Sequence, residues 1–330
     1  MTKPSILVCR AVDPKVIERL EQHFDVRSNQ ADEAWSREKL IAALQGRQGL
    51  FATGGERIDA DLLKACPQLR ICANMSVGFN NFDVEAMTAQ GVVGTNAPGV
   101  LTETTADFGF ALLLAAARRV SEGERYLRAG QWKRWQYNML VGHDVHGSTL
   151  GILGMGRIGQ ALARRGHLGF GMKVIYHNRS RLEASVENET GARYVSKDEL
   201  LRNADHLVLV LPYSNASHHA IGASELALMK SSATLINIAR GGIVDDAALA
   251  QALRAKRIAA AGLDVYEGEP AVHPGLLAVP NVVLAPHIGS ATGPTRLAMA
   301  NLAANNLIDF FHGDGPPNPV NPEVLNGLVA

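Results

Sequence analysis

The sequence predicts an α/β chain built on two doubly wound, Rossmann-like parallel sheets, and three observations carry that prediction. Short β-rich runs alternate with helical stretches twice along the 330 residues. The two sets are punctuated differently, and only the second holds a glycine-rich turn between a strand and a helix.

In the first set the expected strands are the apolar runs Ser5 to Cys9, Gly49 to Thr53, Leu69 to Ala73 and Val92 to Thr95. Helices are expected around Pro14 to His23, Arg37 to Leu44 and Ala60 to Ala65, and no phosphate loop interrupts them. Asn96-Ala97-Pro98-Gly99 is a turn signal, after which Thr102 and Glu103 open an interdomain helix that runs to Arg119. The second set contributes six expected strands: Thr149 to Leu153, Lys173 to His177, His206 to Leu211, Thr234 to Ile238, Ala260 to Asp264 and Val282 to Ala285. A last helical pattern, Pro294 to Phe311, leads into Gly313-Asp314-Gly315-Pro316-Pro317, and the irregular tail is expected to return to the first domain. These signals divide the chain into 1–98, 99–289 and 290–330, without a tandem repeat or low-complexity segment.

Composition narrows the class of partner. Lys plus Arg and Asp plus Glu each total 32, so no global basic field gathers nucleic acid or an anionic membrane. A hydrophobic content of 47% suits a globular protein with a sizeable core. The longest apolar run, Phe108 to Ala117, is too short to span a bilayer, and Met1 to Arg10 lacks the pattern of a signal peptide. Cys9, Cys66 and Cys72 have neither metal nor redox spacing and are expected to be buried reduced thiols. Together these features predict a cytoplasmic protein that acts on a small molecule and holds no metal.

Chemistry concentrates in the second set. Gly154-Met155-Gly156-Arg157-Ile158-Gly159, between a strand and the helical run Gln160 to Arg165, is a dinucleotide-binding fingerprint in its proper setting. Gly154 permits the tight turn, Gly156 lets backbone approach a pyrophosphate, and Gly159 lets helix and sheet close, while free helix N–H groups face the anion. At the end of the next strand, 19 residues after Gly159, an NAD site usually carries an acid for the adenosine ribose hydroxyls. Here Asn178 is followed by Arg179, Ser180 and Arg181. Arginines at that point suit a 2′-phosphate, so NADPH is the expected cofactor and NADH the weaker alternative.

Three further residues follow apolar strands of the same set: Arg240, Glu269 and His287. Taken singly, each has an ordinary explanation, as a solvated charge, a turn residue or a bystander imidazole. Together, at strand ends where open α/β sheets bind ligands, they supply what reduction of a 2-oxo acid requires. Arg binds the carboxylate and polarises the carbonyl, His donates the proton, and Glu keeps His protonated. His218, His219 and His143 with Asp144 lack this context and are expected to be surface residues.

The fingerprint, Asn237 to Gly242, Leu263 to Pro270 and Pro286 to Ser290 together resemble the D-isomer-specific 2-hydroxyacid dehydrogenase family over essentially the whole chain. The run Ile71 to Asp83 and Thr102 to Asp107 are most similar to its bacterial glyoxylate/hydroxypyruvate reductases, which also reduce 2-ketogluconate. The resemblance implies a homodimer, a discontinuous substrate-binding domain made of both chain ends, and a dinucleotide-binding domain between them. By position it implies that Arg240 binds substrate, His287 is the acid/base and Glu269, rather than Glu267, pairs with it. It further implies that Val77 and Gly78 cradle the carboxylate through their amides. Asp264 would hold the nicotinamide carboxamide, and Thr105 would lie near its ribose or phosphate. The segment Gly130 to Gly147, with Trp132, Trp135 and Tyr137, is implied to be a dimer arm. Alternatives are a phosphoglycerate or lactate dehydrogenase of the same family and a dinucleotide-sensing corepressor on the same scaffold.

Overall fold

The computed structural model describes residues 3–327. It divides into two units, Met1–Leu101 with Ala291–Ala330, and Thr102–Ser290. The first change of unit falls three residues beyond the boundary expected at 98, and the second one residue beyond that expected at 289.

The first unit holds a five-stranded parallel sheet: β1 (Ser5–Val8), β2 (Asp25–Ser28), β3 (Gly49–Ala52), β4 (Ile71–Asn74) and β5 (Val93–Thr95), in the order β2-β1-β3-β4-β5. β1, β3 and β4 are buried and mostly apolar, as strands covered on both faces should be, with Asn74 the polar residue that ends β4. β2 escapes sequence reasoning because Asp25-Val26-Arg27-Ser28 has one apolar residue and alternates in exposure at the sheet's edge. The helices Pro14–His23, Arg37–Leu44 and Ala60–Ala65 lie where the pattern places them, and the carboxylates or hydroxyl of Asp13, Ser36 and Asp59 cap their first turns. Such a cap contributes about 1 kcal/mol. A fourth short helix, Val84–Ala89, capped by Asp83, was not anticipated. Residues after the last helix, Gly293–His312, close on this sheet: the Val320 N–H donates to the Gly94 carbonyl at 2.8 Å, and Asn321 Oδ1 accepts from the Gly94 N–H at 2.8 Å.

The second unit has seven parallel strands rather than the expected six: β6 (Thr149–Leu153), β7 (Lys173–His177), β8 (Ala192–Tyr194), β9 (His206–Leu209), β10 (Thr234–Asn237), β11 (Ala260–Leu263) and β12 (Val282–Leu284). The additional strand, β8, is three residues long and sits at an edge. The order β12-β11-β10-β9-β6-β7-β8 reverses direction between β6 and β9. That reversal opens a crevice beyond the strands' carboxyl ends, where such sheets bind ligands. Helix Thr102–Ala117 lies against this sheet, burying Ala106, Leu112, Leu113 and Ala116 with Ile152, Val208 and Ile236. The opposite face is covered by a cluster that includes Leu200, Leu207, Leu235, Leu249 and Leu263.

Cys9, Cys66 and Cys72 are free and buried, and burial pushes their thiols above the ordinary range. None is a ready nucleophile. No helix among the described residues is long and apolar enough to cross a membrane.

In the second unit the Glu187 carboxylate, paired with the exposed Arg181, has a pH consequence. Glu187 accepts from Arg181 at 2.9 and 2.7 Å and from the Tyr176 hydroxyl at 2.7 Å, and these bonds hold its carboxyl down at about 2. A folded-state value below the unfolded one stabilises the protein above ordinary carboxylate pH, and that stabilisation is lost as pH falls towards about 2. Glu187→Gln is therefore expected to lower Tm at pH 7 and to flatten the acid limb of the Tm profile. An unchanged acid limb would show that the pair contributes nothing.

Candidate active site

Every sequence-predicted residue of the second unit sits in a loop or helix start beyond a strand's carboxyl end, or on the adjoining helix. At β6 the chain turns through Gly154, whose φ is +104°. A Cβ there would stand 2.7 Å from the Leu211 nitrogen on the neighbouring crossover. Gly156 precedes helix Arg157–Arg164, has no side-chain cap, and faces open space where a Cβ would be. Gly159 comes so close to Gly154 that a Cβ would meet its carbonyl oxygen at 2.4 Å. Met155 is buried, Ile158 is half-buried and Arg157 is exposed. An uncapped helix start beside an open glycine is a cradle for a pyrophosphate, so these residues fit a dinucleotide.

Asn178, at the end of β7, is tied into this turn. Its Oδ1 accepts from the Met155 N–H at 2.6 Å. The carboxamide oxygen is thereby committed to backbone, which leaves Nδ2, a donor, as the polar atom the residue can offer a ligand. An aspartate would present an acceptor at the same place. Arg179 and Ser180 are exposed beside it, and no ion-pair partner of Arg179 is found among the described residues. Arg181 is placed differently from Arg179: its Nε and Nη2 are engaged by the two carboxylate oxygens of Glu187.

The three candidate catalytic residues come together beyond β10, β11 and β12. His287 Nδ1 lies 2.7 Å from Glu269 Oε2, while Glu269 Oε1 accepts from the Tyr266 N–H at 2.9 Å. Burial pushes the Glu269 carboxyl up, but the His287 hydrogen bond, the Tyr266 amide and the charges of His287 and Arg240 outweigh it. The net result lies below the ordinary carboxylate value, and the group stays ionised. Burial lowers the Arg240 guanidinium from its usual value, an effect that Glu269 opposes. Arg240 remains cationic at neutral pH. It is Glu269, not Glu267, that meets His287. Glu267 instead pairs with His219 Nε2 at 3.1 Å, and His218 Nδ1 lies 3.2 Å from the Tyr213 hydroxyl.

Glycine brings these loops into register. Gly241 packs so tightly on the loop after β11 that a Cβ would stand 1.7 Å from the Tyr266 carbonyl oxygen, which brings the Arg240 loop onto the Glu269 loop. Tyr266, which sequence reasoning missed, donates its buried hydroxyl at 2.8 Å to the Ala285 carbonyl and lies 3.1 Å from that of Leu263. It thus joins the ends of β11 and β12. Its signal, an aromatic between Asp264 and Glu269, was visible; its bonds are tertiary.

Asp264 also does more than the sequence suggested. Its two oxygens accept from the Ile288 and Gly289 N–H groups at 2.7 Å each, and its carbonyl accepts from the His287 N–H at 2.9 Å. These bonds hold His287 at φ +54°, a left-handed conformation that aims the imidazole. Burial raises the Asp264 carboxyl, against the pull of the two amides. Thr105 is buried next to this loop: a Cβ on Gly289 would lie 3.5 Å from Thr105 Cγ2 and 3.0 Å from Asp264 Oδ2. Val77 and Gly78 belong to the other unit, in the half-buried loop that follows β4. A cavity of about 600 Å³ in the second unit adjoins Ala260 and Val282, the first residues of β11 and β12, and none of the candidate site residues lines it.

Comparison with known proteins gives the family of the chain. Residues 110–289 match the D-isomer specific 2-hydroxyacid dehydrogenase NAD-binding domain. The chain is 48% identical over 328 residues to the glyoxylate reductase of Thermococcus onnurineus, covering 98% of each. It is 49% identical over 337 residues to that of Aeropyrum pernix, again covering 98% of each. Among solved structures, the NADPH-dependent glyoxylate/hydroxypyruvate reductase of Sinorhizobium meliloti in complex with NADP and malonate is 35% identical. Its TM-score is 0.85, with 97% of both chains covered. With its NAD-binding domain matched and its whole length shared with such relatives, the chain is an oxidoreductase of the D-isomer-specific 2-hydroxyacid dehydrogenase family.

Proposed function

We propose that this protein reduces a small 2-oxo acid, of the glyoxylate, hydroxypyruvate and 2-ketogluconate class, to the D-2-hydroxy acid with NADPH. The observation that carries the reading is the 2.7 Å His287–Glu269 pair beyond the same sheet edge as the half-buried Arg240. Bound at the Gly154–Gly159 turn, the nicotinamide cofactor supplies the hydride. The protein's share is proton transfer and electrostatics. His287, bonded through Nδ1 to Glu269, presents Nε2 as the proton donor to the substrate oxygen, and Glu269 stabilises the imidazolium. Arg240 binds the carboxylate and stabilises the charge that develops on the carbonyl oxygen. The unit made of both chain ends is the substrate-binding domain, whose Val77 and Gly78 amides take the carboxylate. The middle unit binds the dinucleotide through Gly154, Met155, Gly156, Arg157, Ile158 and Gly159, with Thr105 and Asp264 at its nicotinamide end.

Preference for NADPH follows from Asn178 and Arg179. With Oδ1 committed to Met155, Asn178 offers an N–H to a 2′-phosphate, and Arg179 adds charge. Asn178→Asp keeps the Met155 bond and places an anion where the donor was. It is expected to lower kcat/KM for NADPH by about tenfold or more, the scale of one charge-assisted hydrogen bond, and to favour NADH. Arg179→Ala should raise KM for NADPH and leave NADH nearly unchanged. A wild type that uses NADH as well as NADPH sinks the preference.

A homodimer is supported by Trp132, Trp135 and Tyr137, which are 54%, 74% and 90% exposed in the single chain. Sedimentation at twice the chain mass is expected, and a monomer at micromolar concentration contradicts it.

A further inference from the structure

We infer that Asn74 and Asn96 are positioning residues that turn the loop after β4 into a three-amide cradle for the substrate carboxylate; this rests on the 2-oxo acid reading above. Three consecutive carbonyls of that loop are held by partners in the same unit. Ser76 O accepts from the Ala97 N–H at 2.9 Å, Val77 O from Asn96 Nδ2 at 2.8 Å, and Gly78 O from Asn74 Nδ2 at 3.0 Å. In a trans peptide the N–H points opposite to the carbonyl it adjoins. Fixing these carbonyls therefore turns the N–H groups of Val77, Gly78 and Phe79 the other way, and none of the three has an acceptor among the described residues.

Successive unpaired amides directed to one side form a nest for an anion. The third donor, Phe79, extends the pair that sequence resemblance indicates. Asn74 is fully buried, yet its Oδ1 has no hydrogen-bond partner, so the residue does not simply satisfy itself in the core. Its Nδ2 spans Gly78 O and Asn81 Oδ1, the latter at 3.1 Å, and Asn81 in turn donates to the Glu56 carbonyl at 2.9 Å. The carboxamide is thus aimed by a chain of bonds and spends its donors on the loop. Asn96 does the same from the end of β5, where its own N–H donates to Asn318 O at 3.2 Å.

The test uses oxalate, a planar dicarboxylate, as the probe. Titrated into the ¹⁵N-labelled protein, with and without NADP⁺, it should move the amide signals of Val77, Gly78 and Phe79. Asn96→Ala removes one orienting donor. Asn74→Leu keeps the side chain's approximate size and removes its donors without adding a charge beside the anion, so a space-filling role predicts little effect on oxalate binding. Each variant is expected to weaken oxalate binding about tenfold and to raise KM for the oxo acid far more than it lowers kcat. NADPH affinity should be unchanged. If Asn74→Leu fails to fold, Asn96→Ala decides. The inference is overturned if the three wild-type amide signals do not respond, or if folded variants bind oxalate as tightly as wild type. Oxalate binding at these amides in a protein that turns over no oxo acid would contradict the proposed reaction and leave the cradle standing.

Discussion

Replacing His287 by Ala is expected to lower kcat by roughly 10²- to 10⁴-fold while NADPH binding stays intact, the usual reach of general acid–base catalysis. The imidazole reaches the pocket through a chain of constraints: Asp264 fixes the loop backbone, and Glu269 takes Nδ1 at 2.7 Å. Only Nε2 is left for substrate. Because residue 287 has φ +54°, alanine adds backbone strain, so His287→Asn, which tolerates that conformation better, is the cleaner companion. Both variants should lose turnover; the asparagine should lose less stability. Fluorescence titration with NADPH checks that the cofactor site is intact. A folded variant with near wild-type kcat would remove His287 from the mechanism.

Arg240→Lys is expected to raise KM for the oxo acid and lower kcat together, with kcat/KM down by roughly 10² or more, as when a preorganised oxyanion donor is lost. Lysine keeps the charge but loses the planar fork that bridges carboxylate and carbonyl. Arg240 Nη1 donates to its neighbour's carbonyl, Ala239 O, at 2.7 Å, which orients the guanidinium. The backbone of Gly241 packs against the Tyr266 carbonyl, with no room for a side chain between them. A thermal melt separates the two roles this arginine could have. A ligand-facing residue costs little stability when changed, whereas a large fall in Tm with unchanged kinetics would assign it to structure.

The strand-end logic that singled out Arg240, Glu269 and His287 was legible because buried parallel strands are apolar runs that stop abruptly, and the polar residue after each stop stands out. The fingerprint was legible because Gly154 and Gly159 are dictated by backbone contacts local to one turn. Edge elements were not: β2 and β8 are short and bury little, so their periodicity is weak. Nor were the supports of the site. The Asp264 bonds to the Ile288 and Gly289 amides, Tyr266 joining two strand ends, and the carboxamides of Asn74 and Asn96 depend on which loops the sheets bring together. Arg181 has a partner that the sequence reading did not identify. Its position beside Asn178 suggested a phosphate ligand; Glu187, six residues on in the following helix, accepts from two of its guanidinium nitrogens.

The most direct test of the proposed reaction is product analysis with hydroxypyruvate and NADPH carrying deuterium at the transferable C4 position. The account predicts one equivalent of D-glycerate for each NADPH oxidised, with the deuterium at C2. L-glycerate, deuterium absent from C2, or no turnover of hydroxypyruvate, glyoxylate or 2-ketogluconate by a folded, NADPH-binding protein would contradict it.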